Sequence, residues 1–312
     1  MSTELDLIAA IRAALGPLPP RVLVGPGDDA SVVRADGAAV VTSIDTVVDG
    51  VHFSLATHSA ADVGHKALAT ALSDLAAMGA RPGEAYVALV LPPAFGGALE
   101  LVEGMRALAA RTGVAIAGGD VVGGPALAVT VTVTGWVRAD EQVVLRSGAR
   151  PGDLVGVTGE LGGSGAGLRL LEGDAEAPLR EALVTRHRQP EPLLATGLAL
   201  AAAGVSAMID VSDGVATDAG HIARASGVTL DLRLADLPLA PGVSAEQAAR
   251  DGDDYELLFT APPSARTAVE QAAAATGTRV SWLGDVHAGG ATLRLHAADG
   301  SVVDLSGYEH GR

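Results

Sequence analysis

The chain is 312 residues long, with 21 Lys+Arg against 37 Asp+Glu and a formal net charge of −16. That balance excludes nucleic acid and anionic membrane surfaces as partners, since phosphates need a positive face, and fits divalent cations or anions carried in with them. There is no Cys, which removes disulfides, thiolate metal sites and thiol nucleophiles together.

The length allows roughly two domains. Residues 5–15 predict a short helix closed by Gly16 and the Pro17 to Pro20 stretch. Glu4 and Asp6 stand where a signal peptide would carry basic residues, so a cytoplasmic protein is expected. A Gly-rich loop, GPGDDA, holds Asp28 and Asp29 and precedes the apolar run Ala38 to Ile44, which has the pattern of a buried strand. Asp45 would then sit at the strand's carboxyl end, the usual place for ligand chemistry in α/β sheets. Ser43 lies two residues earlier on the same side, and Asp49 and His52 follow in a loop. A helix is predicted between Ser59 and Gly79, with Asp62 as N-cap, an apolar face of Leu68, Ala71, Leu72, Leu75 and Met78, and Asp74 at its margin.

Apolar stretches at 85–91 and 126–137 predict strands, with a helix over 98–112 and a short strand, 114–117, running into Gly118-Gly119-Asp120. The Gly/Pro loop 147–153, SGARPGD, is the expected boundary between domains 1–148 and 149–312. Beyond it the pattern predicts a strand (154–158), helices over 162–171 and 191–203, and a strand (206–209) leading into Asp210-Val211-Ser212-Asp213-Gly214. A helix (215–226), a strand (228–234), the acidic stretch 251–256, a strand (257–260), a helix (264–276) and a closing β region complete the chain. Strands mix with helices in both halves, giving an α+β, or mixed α/β, class. The longest uncharged run, 193–209, is Ala- and Gly-rich and short of the roughly 20 strongly apolar residues of a membrane span. Lys66 is the only lysine, and no GxxxxGK[ST] loop is present, so a nucleotide would be handled without a P-loop.

Each acid taken alone has an ordinary structural account. Asp28-Asp29 suits a turn, Asp74 a helix N-terminus or an arginine, Asp120 a Gly-Gly turn, and Ser212 or Asp213 an N-cap. His52 alone suits a solvated or hydrogen-bonded histidine. Together, five acidic clusters follow apolar strands or border a buried helix face, with few arginines nearby in sequence. Packed together, these carboxylates would repel one another unless cations sat between them. Hard oxygen ligands without Cys indicate Mg²⁺, and several Mg²⁺ in one cleft most often serve phosphoryl transfer. The glycines before Asp120 would let a phosphate approach the backbone.

The motifs GPGDDASVV, SIDTVVDGVHF, HKALATALSDLAAMGARP, AGGDVVGG, LRSGARPGD, IDVSDGVATDAGHIARASG and GDDYELLFT, in this order, resemble the thiamine-monophosphate kinases. These belong to the aminoimidazole ribonucleotide synthetase-like superfamily, a two-domain ATP-binding fold without a P-loop. The resemblance implies Mg²⁺- and ATP-dependent phosphorylation of thiamine monophosphate to thiamine diphosphate by direct in-line attack. It implies Mg²⁺ bound by Asp29, Ser43, Asp45, Asp74, Asp120, Asp210 and Asp213, and ATP touched by Gly119, Asp120, Arg146 and Ser212. It places His52, Asp253 and Tyr308 at the thiamine phosphate, makes Asp45, Asp120, Asp213 and Arg146 the catalytic centre, and implies a homodimer formed through the first domain. Two positions depart from the pattern. Ile44 replaces a usual Thr, so any metal contact there comes from its carbonyl, and Asp253 replaces a usual Glu, with Asp254 or Glu256 as neighbouring acids that would compensate. Trp282 is expected in the core. The nearest rival is an aminoimidazole ribonucleotide synthetase-like activity, and a non-catalytic nucleotide-binding relative is the alternative from another class.

Overall fold

The computed structural model describes residues 22–24, 29–35, 38–173 and 179–308. The expected helix 5–15 and Asp28 lie outside them. Six strands form the first sheet: β1 (Val22–Val24), β2 (Ser31–Ala35), β3 (Ala38–Val48), β4 (Arg81–Leu91), β5 (Ala115–Gly123) and β6 (Ala128–Arg138), in the order β1-β2-β3-β6-β4-β5. β4 and β5 run parallel, which requires a crossover, and helix α2 (Ala98–Thr112) supplies it. Along β6, Val129, Val131 and Val133 are buried, while Thr130, Thr132 and Thr134 face the other way.

Helix α1 (Ala60–Ala77) differs from the predicted stripe because it is buried nearly all round. It packs on α2, β3 and β6 on one side and on α5 (Leu194–Ala203) and β8 (Ala207–Asp210) of the second half on the other. Its N-cap is Ser59, with Asp62 three residues on: each side chain accepts the other's backbone N–H, at 3.1 and 3.0 Å.

The second sheet has the order β13-β12-β9-β11-β7-β10-β8. Its other strands are β7 (Leu154–Thr158), β9 (Val228–Arg233), β10 (Leu257–Ala261), β11 (Val280–Ala288), β12 (Thr292–His296) and β13 (Val302–Val303). Helices α3 (Gly163–Leu171), α4 (Arg180–Arg188), α6 (Val215–Ser226), α7 (Ala245–Arg250) and α8 (Arg266–Ala275) accompany it. One apolar core surrounds α1 and includes Leu200, Met208 and Phe259 of the second half. A second core lies under α6 and the remaining faces of β7, β9 and β10. Trp282 stands at the margin of the first, edge-on to Phe259 at 5.7 Å, with its indole N–H donated to Glu270. Among the described residues no helix is long and apolar enough to cross a membrane.

Of the strand ends that differ from the sequence reading, three lie at acids expected in the site. β3 continues to Val48, so Asp45 lies within it; β6 pairs with it along its whole length, from Ala38↔Arg138 to Val48↔Ala128. Gly118-Gly119-Asp120 lies inside β5, held by pairing to β4, and Asp210 is the last residue of β8.

Candidate active site

Ser43 and Asp45 project from the same side of β3, Ser43 being buried and Ile44 between them 66 % exposed on the opposite face. The Ser43 hydroxyl hydrogen-bonds the Asp74 carboxylate and, at 3.3 Å, the Asp29 carbonyl. Asp74 comes from α1, Asp29 from the segment before β2, and Asp210 from the end of β8. The three bring carboxylate oxygens within 4.8 Å of one another. Arg146, on the connection into the second half, grips Asp29 with two guanidinium nitrogens, one of them 2.7 Å from Oδ2. Its partner's side chain is wholly buried, so this is a directed charge inside the acid group and not a surface ion pair.

Burial, followed by the charges of Asp210 and Asp29, pushes the Asp74 carboxyl well above the usual range. Burial, followed by Asp29, pushes Asp210 up to about 7. Asp45 stands close enough to add to both shifts. A second group, Asp213, Asp218 and His221, likewise gathers ligand atoms within 4.8 Å. Asp218 accepts the Asp213 backbone N–H at 3.2 Å, and burial and then Asp213 raise its carboxyl. Burial and then the Arg146 charge lower His221 to about 4, leaving a neutral imidazole. Crowded carboxylates and one neutral imidazole, with no thiolate, form a hard donor set of the kind that Mg²⁺ takes.

Asp218 and His221 were not singled out in the sequence. The signal was present: on α6, Asp218 shares the buried face of Val215, Ala219 and Ile222, as Asp74 shares that of α1. Asp45 joins neither group, its Oδ1 accepting the Thr46 N–H at 2.7 Å, and neither does Asp120. Asp120 is exposed on the edge strand β5 and paired with Ala88, on the side of the sheet that also carries Tyr86 and, through Thr132, Ile44. Gly119 also has a packing requirement of its own, since a Cβ there would lie 2.0 Å from the Val87 carbonyl of β4.

The segment 252–255 runs beside 211–213: Asp253 and Tyr255 donate their N–H groups to the Ser212 and Val211 carbonyls at 2.8 and 2.9 Å. A Cβ on Gly252 would lie 2.2 Å from the Ser212 carbonyl, which explains glycine at that approach. Asp253 is thereby set next to the Asp210–Asp213 acids. Its neighbours do not stand in for a longer acid. The Asp254 carboxylate accepts the N–H groups of Gly162 and Ser164 at the start of α3, and Glu256 is held by the Thr158 hydroxyl at 2.6 Å and by Arg186. His52 follows β3 and accepts the Val48 N–H on Nδ1 at 3.1 Å. Tyr308 is half exposed, and its N–H donates to the Asp213 carbonyl at 2.9 Å. Asp49 has a local role, accepting the Leu55 N–H at 3.1 Å.

Residues 27–137 match the family described as AIR synthase related protein, N-terminal domain, and residues 150–296 match its C-terminal domain. The thiamine-monophosphate kinase of Escherichia coli K12 is 38 % identical over 304 residues, covering 93 % of this chain and 92 % of that protein. The chain belongs to the thiamine-monophosphate kinase family. The family member from Mycobacterium tuberculosis is 45 % identical over 224 residues, 70 % of this chain and 66 % of that protein. Among solved structures, AaThiL complexed with AMPPCP and TMP superposes with a TM-score of 0.86 at 28 % identity, covering 99 % of this chain and 97 % of that one. Both halves of the kinase fold, and with them all the buried acids, lie within the matched residues.

Proposed function

We propose that the chain phosphorylates thiamine monophosphate to thiamine diphosphate with ATP, by direct in-line attack of the substrate phosphate on the γ-phosphate. The observation that carries this reading is the convergence of buried Asp29 and Asp210 and half-buried Asp74 on one another beside Arg146, in a chain of this family. The nucleophile is already an anionic oxygen, so no general base is needed, and the obstacle is repulsion between two phosphates. Mg²⁺ held by Asp29, Ser43, Asp45, Asp74, Asp210 and Asp213, with the Ile44 carbonyl beside them, would supply the positive charge that offsets this repulsion. Asp218 and His221 extend that donor set.

The chain's own cation at the site is Arg146. Asp29 orients its guanidinium, and we assign Arg146 to the ATP phosphates together with the backbone of Gly119 and Ser212. His52, Asp253 and Tyr308 line the thiamine phosphate. Asp45, Asp120, Asp213 and Arg146 form the catalytic centre, and ATP as co-substrate suits a cytoplasmic enzyme. We place the domain boundary between 148 and 149, in the loop entering β7.

A homodimer is part of this reading. Ile44, Tyr86 and Val122 are 66, 47 and 48 % exposed on one face of the first sheet, and β5 is an exposed edge; such a surface suits a partner. Asp120 lies on that face, away from its own chain's buried acids, so we assign it to the partner copy's site. The reading is tested by incubating purified protein with ATP, Mg²⁺ and thiamine monophosphate. Thiamine diphosphate is the expected product; ATP hydrolysis driven only by a different acceptor would contradict it.

A further inference from the structure

Lys66 is the only lysine of the chain. It is 1 % exposed on α1, and the proposed reaction gives it no role. A buried ammonium needs an anion and hydrogen-bond acceptors, and Lys66 finds both in the second half. Its Nζ donates to Asp253 Oδ2 at 2.7 Å and to the His187 carbonyl at 3.3 Å, the latter in the last turn of α4, where helix carbonyls carry partial negative charge. Tyr255, 7 % exposed, donates its hydroxyl to the other oxygen, Asp253 Oδ1, at 3.0 Å.

Each oxygen of the Asp253 carboxylate therefore has its own donor. The backbone is held as firmly, by the bonds to Ser212 and Val211 described above. Asp253 and Tyr255 both keep positive φ, 61° and 51°, a conformation that costs a non-glycine residue about 1–2 kcal/mol and persists where surrounding contacts over-determine it. Burial would raise the Asp253 carboxyl, but the Lys66 charge and these hydrogen bonds hold it below the usual range. Its side chain is still 34 % exposed, so an ionised, oriented carboxylate is presented beside the buried acids.

We propose that Lys66 and Tyr255 are positioning residues for the substrate, locking the Asp253 carboxylate so that it receives the cationic or amino-bearing part of thiamine monophosphate and not its phosphate. An anion would repel the phosphate, whereas a thiazolium or an amino group matches it. The inference rests on the assignment of Asp253 to the substrate site.

The test is a steady-state comparison of Asp253→Asn, Tyr255→Phe and Lys66→Met, with the double variants Tyr255→Phe/Asp253→Asn and Lys66→Met/Asp253→Asn. All three single variants are expected to raise KM for thiamine monophosphate, Tyr255→Phe by about three- to tenfold, with KM for ATP unchanged. Neither double variant is expected to exceed Asp253→Asn alone, because both partners act through that carboxylate. Tyr255→Phe removes one hydroxyl without stranding a charge, so it carries the test if Lys66→Met does not fold. Unchanged KM for thiamine monophosphate in Tyr255→Phe, or effects that add fully to Asp253→Asn, would overturn the inference. An Asp253→Asn variant with unchanged KM would overturn the substrate assignment itself.

Discussion

Asp210 shows how a single carboxylate links stability, pH and metal. Its folded pKa is raised to about 7 by burial and by Asp29. As pH climbs from the usual carboxylate range toward 7, the folded state retains a proton that the unfolded state has released. The stability associated with that proton is therefore lost over this window. The buried His58 and His187, lowered by burial to about 4 and about 3, act in the opposite direction over the acidic part of the window, so the bare profile mixes signs. Comparison with Asp210→Asn separates them. In EDTA at pH 8 that variant is expected to melt higher than the wild type by several degrees, on the order of 1–3 kcal/mol, and the gap should close toward pH 5. In Mg²⁺ at pH 8 the order should reverse. Thermal unfolding measured under these three conditions checks this, and an unchanged order in Mg²⁺ would argue against Asp210 as a ligand. Asp74 and Asp210 were visible in the sequence as acids beside apolar elements. Their convergence was not, because 136 positions of chain separate them and nothing local encodes the contact.

Elements with strong local signals match the sequence reading residue for residue. Helices α2 and α6 span the predicted 98–112 and 215–226, each closed by a glycine in the left-handed region, Gly113 and Gly227. Among the strands, β7 matches its predicted 154–158, but others held by tertiary pairing do not match. β3 and β5 outrun their apolar patterns because ladder partners hold polar residues in extended form. Helix α4 was missed because only Leu183 and His187 are buried along it, too thin a stripe to read. Gly119→Ala tests the role of pairing in β5. The new methyl would press on the Val87 carbonyl, so the variant is expected to lose about 1–3 kcal/mol in thermal unfolding. Wild-type stability with a raised KM for ATP alone would instead favour the phosphate-approach explanation.

At the scale of the whole molecule, α1 joins the two sheets. It carries Asp74 toward the acids and Lys66 toward Asp253, while its apolar residues belong to a core shared by both halves. Asp120 lies on the outer face of the first sheet, the face through which the proposed homodimer would form. Asp45→Asn and Asp120→Asn are each expected to abolish turnover while leaving the fold intact. If Asp120 serves the partner's site, mixing the two inactive variants under exchange regenerates one complete site in each mixed dimer. About a quarter of wild-type activity should return at statistical mixing of a two-fold assembly; no recovery in verified mixed dimers would place Asp120 in its own chain's site. The most direct test of the central claim is product formation itself. Purified protein with ATP, thiamine monophosphate and Mg²⁺ should yield thiamine diphosphate and ADP in equal amounts, and yield none when EDTA replaces Mg²⁺. Absence of thiamine diphosphate from folded protein supplied with Mg²⁺, or equal yield in EDTA, would contradict the account.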